Sequence, residues 1–150
     1  MNNHMLLFEM IGALARRRYQ TAEREFAVLG LNHTEARLLS LLREAGGECG
    51  QDALSNQLHI DRSNAGRALK RLEEDGYIAR RRDDADRRAF VASLTGKGRK
   101  AVGDIAKIRD RIVERFFGDL TEAEAGRIVD MLQTALPANG EELHAGETAS

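Results

Sequence analysis

Between Asp61 and Asp75 the chain carries Ser63, Asn64, Arg67, Lys70 and Arg71 at spacings that a helix gathers on one side. With Ala65, Ala68, Leu69 and Leu72 as the buried stripe, a turn of about 100° per residue leaves Ser63, Arg67 and Lys70 near the middle of the opposite face, with Asn64 and Arg71 on its flank. The side-chain types matter as much as the positions. Arginine can bond guanine O6 and N7 in bidentate fashion, asparagine can do so at adenine N6 and N7, and serine can take either role, so this face suits base-pair edges in a major groove. Lys70 and Arg71 lie further from the helix start and suit phosphates, which position a protein without specifying sequence. A charged turn tipped by Asp86-Arg87-Arg88 follows, between two runs that read as strands. A helix followed by a basic hairpin can fill a major groove while the hairpin reaches a neighbouring minor groove.

The charge distribution agrees. Residues 62–100 hold 12 Lys/Arg against 6 Asp/Glu, whereas 1–61 hold 6 against 8 and 101–150 hold 5 against 10, so a formal net charge of −1 hides a basic segment between acidic flanks. Positive charge gathered in this way is the footprint of phosphate binding, which makes affinity salt-dependent; the bland alternative is a solvated charged surface.

At 150 residues the chain is most simply one domain, large enough to bury a core. Its 42% hydrophobic and 31% charged content is that of a soluble protein, and no apolar run approaches the ~20 residues that cross a bilayer, so no membrane partner is expected. Met1-Asn2-Asn3-His4 shows no basic region leading into an apolar one, so no secretory signal is expected. A single cysteine, Cys49, excludes an intramolecular disulfide and suits a reducing compartment. The expected location is the cytoplasm.

Apolar residues recur mostly at helical spacing, which predicts a mainly α (α+β) chain with one small hairpin. A first helix is expected over about 5–28 with Leu7, Ile11 and Leu14 on one face, and a second from a Thr34 cap through Ala45 with Leu38, Leu41 and Leu42 inward. A short third follows over 51–58, and a fourth starts at Asp61 or Ser63 and runs to Asp75. Residues 77–79 and 89–94 form the arms of the hairpin. Thr95 opens a fifth helix to about Phe117, and Thr121 with Glu124 makes a capping box for a sixth that ends before Pro137. Residues 137–150 have almost nothing to bury and read as a disordered tail.

Helix, short helix, helix, hairpin is the order of a winged helix-turn-helix, here a core over 30–98. The helices outside it, in 5–29 and 99–136, carry broad apolar faces: Val102, Ile105, Ile112, Val113, Phe116 and Phe117 in the fifth helix, and Ile128, Val129, Leu132 and Leu136 in the sixth. A small core cannot cover them all, so a two-fold dimer region is expected; the alternative is a monomer whose terminal helices fold back.

The run Asp83-Asp84-Ala85-Asp86-Arg87-Arg88, then Leu94-Thr95-Gly96-Lys97-Gly98, resembles the wing signature D-P-x-D-R-R followed by L-T-x-x-G of the MarR family of transcriptional regulators. Asp61-Arg62-Ser63-Asn64 is similar to the opening of that family's recognition helix, and Leu72-Glu73-Glu74-Asp75-Gly76-Tyr77-Ile78 to its exit. Asp84 departs from the pattern, adding charge and freedom where the family usually has proline. The resemblance implies a homodimer that binds a pseudo-palindromic operator in double-stranded DNA and commonly represses. It also implies that Asp86 holds Arg88 by an ion pair while Arg88 enters the minor groove and Arg87 lies against backbone. Arg80, Arg81 and Arg82 are open between phosphate contact and solubility. Family members often respond to anionic aromatic compounds, which makes Arg16, Arg17 and His33 candidates for such an effector in a crevice beside the first, second and fifth helices. The same residues can instead be solvated or pair with Glu23.

Enzyme readings find little support, with no H-E-x-x-H, G-x-S-x-G, G-x-x-x-x-G-K-[ST] or G-x-G-x-x-G after a strand, and no cofactor or metal is implied. His33 reads as a loop residue, and Cys49, in a loop between helices, as inert. Two other classes stay open: a winged-helix protein-interaction module, disfavoured by a reading face that is polar rather than apolar, and a small-molecule binder with weak DNA affinity.

Overall fold

The computed structural model describes residues 1–136; the tail expected over 137–150 lies outside the described residues. Helix α1 spans Asn3–Phe26, its first turn capped by the Asn2 side chain, which accepts the Met5 N–H at 2.9 Å. A single 3-10 turn (Ala27–Leu29) leads to α2, His33–Glu44. The cap of α2 is Asn32, not Thr34. Asn32 Oδ1 accepts the Glu35 N–H at 2.8 Å and Glu35 Oε1 accepts the Asn32 N–H at 2.9 Å, a reciprocal pair that a cap at Thr34 would forfeit. His33 is therefore the first residue of a helix rather than part of a loop.

After α2 comes a strand absent from the sequence reading, β1 (Glu48–Gly50), so Cys49 lies in a sheet and not a loop. Helix α3 (Gln51–Leu58) and α4 (Arg62–Glu74) follow, then β2 (Ile78–Arg82) and β3 (Phe90–Leu94). The wing is therefore part of a three-stranded antiparallel sheet in the order β1-β3-β2. Cys49 pairs with Ala92 on one side of β3, and Arg80 with Ala92 on the other. β2 runs on through Arg82, three residues past the expected arm, because pairing with β3 carries the ladder through a segment too charged to show strand alternation. Helices α5 (Gly96–Phe116) and α6 (Glu122–Gln133) complete the described chain, with the Thr121/Glu124 capping box formed as expected.

One core joins these elements. Leu38, Leu39 and Leu42 of α2 meet Leu54 and Leu58 of α3, Leu69 and Leu72 of α4, Ile78 of β2, and Val102 and Ile105 of α5. Ala65, Leu69 and Leu72 are fully buried and Ala68 is half-buried, so the expected stripe of α4 faces inward and its polar face outward. The outer helices differ. Leu7, Ile11 and Leu14 of α1 are exposed, Phe8 is 73% and Val113 58% exposed, and α6 buries none of its residues. Among the described residues nothing covers these apolar faces.

Candidate nucleic-acid interface

Helix α4 is anchored at its start by Asp61, whose Oδ1 accepts the Asn64 N–H at 2.7 Å. The same carboxylate accepts from the Asn64 side-chain amide at 2.8 Å, and the Arg67 guanidinium donates to the Asn64 amide oxygen. Asp61, Asn64 and Arg67 thus form a continuous side-chain chain along the first two turns, which restricts the rotamers of the two residues best suited to base edges. Ser63 and Lys70 are exposed on the same helix. Arg62 pairs with Asp52 at 2.9 Å, tying α4 to α3. Gly66 lies beside the end of the Gln51 side chain at the start of α3, where an added Cβ would stand 3.3 Å from Gln51 Nε2. Neither of these positioning features was visible in the sequence, because both depend on which helices cross.

Arg71 sits differently from the other four. Its Nε lies 3.5 Å from Oε2 of Glu35, a fully buried carboxylate on α2, and 4.0 Å from Asp75. It is tied to the interior of the fold through Glu35 while 60% of its side chain stays exposed.

At the wing tip Arg87 and Arg88 are exposed, and no carboxylate among the described residues lies within ion-pair distance of either. The expected Asp86–Arg88 ion pair is not formed. Asp86 Oδ1 instead accepts the backbone N–H of Arg88 at 3.0 Å, shaping the turn and leaving the guanidinium free. The turn is closed by Ala89 N–H to Asp86 O and Asp83 N–H to Ala89 O, both 3.0 Å. The three arginines before the tip are engaged within the chain. Arg80 pairs with Glu73 at 3.2 Å, Arg81 with Glu48 at 2.7 Å, and Arg82 lies 4.2 Å from the centre of the Phe90 ring while donating to the Arg87 carbonyl. They stiffen the wing and join it to α4 and β1.

A crevice of about 470 Å³ opens between α1, α2 and α5, floored by Phe26, Ile105 and Phe116 and rimmed by Arg18, Arg37, Arg109 and His33. Of the three candidates from sequence only His33 lines it. Arg17 lies on a smaller cleft of about 310 Å³ with Arg24, Arg111 and Arg115, its guanidinium 4.7 Å from the Phe116 ring centre and donating to the Phe116 carbonyl at 3.1 Å. Arg16 lines neither cavity. Successive residues of a helix point about 100° apart, so a shift from position 17 to 18 moves the charge to the other side of α1. Glu23 forms no ion pair with Arg16 or Arg17; it accepts the His33 backbone N–H at 2.8 Å, and its carboxylate holds the nearby Tyr19 phenol above its ordinary pKa. Among the described residues no group of His, Cys, Asp and Glu is placed to hold a metal, and no helix is long and apolar enough to cross a membrane.

The family model that matches this chain, that of the MarR family, covers residues 31–90, which run from the turn before α2 to the start of β3. The chain is 30% identical over 112 residues to the regulator PrsX of Escherichia coli, a match covering 73% of this chain and 68% of PrsX. It is 30% identical over 106 residues to YdgJ of Bacillus subtilis, an HTH-type transcriptional regulator, covering 71% of this chain and 64% of YdgJ, so it spans a little under two thirds of that relative. Among solved structures it resembles BpsR of Bordetella bronchiseptica, whose DNA binding is regulated by 6-hydroxynicotinic acid, with TM-score 0.70 and 28% identity over 84% of this chain and 98% of that one. The chain belongs to the MarR family.

The MarR-like signature at 94–98 has a local physical meaning here. Thr95 Oγ1 accepts the Gly98 N–H at 3.1 Å, capping α5, and donates toward the carbonyls of Gly76 and Tyr77, at 2.6 and 3.0 Å. The Thr95 N–H bonds the Tyr77 carbonyl at 3.1 Å, and Lys97 Nζ donates to Asp75 O at 2.6 Å while lying 4.3 Å from the Tyr77 ring centre. The end of α4, the base of the wing and the start of α5 are thereby fastened at one point. Gly98 is required there because a Cβ would come within 2.1 Å of the Tyr77 carbonyl oxygen.

Proposed function

We propose that this MarR-family protein is a homodimeric, ligand-responsive transcriptional regulator that binds a pseudo-palindromic operator and represses. Ser63, Asn64 and Arg67 of α4 read base edges, Lys70 meets phosphate, and Arg87 and Arg88 of the wing meet the backbone and the adjacent minor groove. The observation that carries the reading is the Asp61–Asn64–Arg67 chain on the exposed face of α4 beside a wing tip with two unneutralised arginines. An enzyme needs convergent reactive groups; this face presents a row of donors and acceptors on a projecting helix.

Support for the dimer comes from the uncovered apolar faces of α1, α5 and α6, which a second copy would bury while setting two reading helices on one side of the duplex. Such a protein works in the cytoplasm, where its operator is. The crevice beside α2 combines an aromatic floor with guanidinium groups, the chemistry that suits a small anionic aromatic effector, and the regulation of BpsR by an aromatic acid supports that class. The direct experiment is a gel-shift titration of the purified protein against DNA upstream of its own gene, with random DNA as competitor. Saturable binding that resists competitor and is relieved by an aromatic carboxylate is expected. Equal affinity for both DNAs would refute sequence-specific regulation.

A further inference from the structure

We infer that Arg71 is a positioning residue of the reading helix, acting through the buried Glu35 of α2, and not a phosphate contact; the inference rests on the regulator reading above. Glu35 is fully buried, and its two oxygens have different tasks. Oε1 closes the capping box of α2 by accepting the Asn32 N–H at 2.9 Å. Among the described residues Oε2 accepts no hydrogen bond, and Arg71 Nε faces it at 3.5 Å. A carboxylate removed from water needs a facing charge, and stranding it by deleting the partner is far more damaging than removing both. Arg71 is thus committed to the interior by Glu35, although 60% of its side chain remains exposed.

The consequence for reading follows from helix geometry. Arg71 is one turn beyond Arg67, and Asn64 is one turn before it, so all three lie along one side of α4. A tether at position 71 resists rotation of α4 about its axis, and a rotation is what would carry Arg67 and Asn64 off the base edges. The tether leads back to the first turn of α2, where the His33 N–H is held by Glu23 of α1 at 2.8 Å and His33 lines the crevice. The first turn of α2 is therefore tied to α1 through the His33 N–H and to α4 through Glu35.

The test is a four-protein cycle of wild type, Arg71→Ala, Glu35→Gln and the double variant, with Arg71→Lys as a milder fifth, measured for operator and random-DNA affinity across a salt series and for thermal midpoint. Arg71→Ala is expected to weaken operator binding on the order of tenfold, to spare random DNA, and to leave the salt slope unchanged, because no phosphate contact is lost. The double variant is expected to recover most of the loss in both affinity and midpoint, and Arg71→Lys to fall between. If Arg71→Ala lies too close to unfolding to assay, recovery in the double variant still reads the pair. A salt slope reduced by about 0.9, the value for one phosphate contact, with equal losses on both DNAs and additive effects across the cycle, overturns the inference. Wild type that shows no operator preference refutes the regulator reading instead, a failure the thermal cycle does not share.

Discussion

Gly98→Ala isolates the joint at which α4, the wing and α5 meet. The added Cβ would lie 2.1 Å from the Tyr77 carbonyl oxygen, 3.1 Å from Leu94 Cδ2 and 3.2 Å from the Tyr77 carbonyl carbon. Ordinary carbon–oxygen contact begins beyond 3 Å, so the start of α5 must move by about 1 Å from a backbone that cannot yield as a side-chain tip would. That movement strains the two bonds from Thr95 to Tyr77 O, now 3.0 and 3.1 Å. Two hydrogen bonds at about 1 kcal/mol each and overpacking of about 1–3 kcal/mol, less the ~0.4–1 kcal/mol that alanine gains through the unfolded chain, leave a destabilisation of about 3 kcal/mol. Urea denaturation is the assay, with Gly103→Ala as the matched control in the same helix, since nothing lies within 4 Å of a Cβ there. The control should be neutral or slightly stabilising, while Gly98→Ala should also weaken operator binding by moving the wing relative to α4. Two variants within 1 kcal/mol of each other, by the scale on which overpacking costs about 1–3 kcal/mol, would refute the argument from close approach.

Arg67→Ala should cost ~1–3 kcal/mol of operator affinity and relax preference at one position in each half-site, whereas Lys70→Ala should weaken all DNA alike and shallow the salt slope; identical uniform losses would remove α4 as the reading element. Arg88→Ala should weaken binding most on A·T-rich flanks, where a narrow minor groove concentrates negative potential, and Asp86→Ala should do so to a smaller degree by releasing the Arg88 backbone; flank-independent losses in a competition series would count against a minor-groove role. Leu132→Glu, on the exposed face of α6, should sediment as a monomer where wild type sediments as the proposed dimer, and should reduce operator binding; a variant that still dimerises would exclude α6 from the interface. The bonds from Thr121 to the Glu124 carboxylate hold its pKa below the ordinary 4.5, so the stabilisation of α6 is complete above that value and is lost as pH falls through the lowered native one. Helix content followed by circular dichroism should decline less on acidification in Glu124→Gln than in wild type, and parallel acid profiles would contradict this.

Much of the architecture was legible because it is decided within a few residues. Thr95 before α5 and Thr121 with Glu124 before α6 satisfy helix-end amides three residues away, so composition and spacing announce them, as they announce α4 with its start open between Asp61 and Ser63 until the structure gave Asp61 as the cap. The polar face of α4 follows from the same periodicity, as does the wing from its turn residues. Even local rules can mislead: the sequence points to Thr34 as the cap of α2, and the structure starts the helix two residues earlier, where the Asn32 and Glu35 side chains cap each other's backbone.

The sequence by itself determined the order of the six helices and of the wing hairpin, the polar face of α4 and the MarR-type signature, since each rests on contacts between near neighbours in the chain. Only the tertiary structure decided β1, which is three residues long and exists because β3 offers a free edge some forty residues later. It also decided which charges are spent inside the molecule and which face outward. Arg81 meets Glu48 across 33 positions, Arg71 meets Glu35, and Arg80 meets Glu73, while Arg87 and Arg88 meet no carboxylate among the described residues. In one dimension all of these are arginines in a basic segment; an ion pair forms only when the fold brings two groups within a few ångströms, and separation along the chain carries no information about that distance.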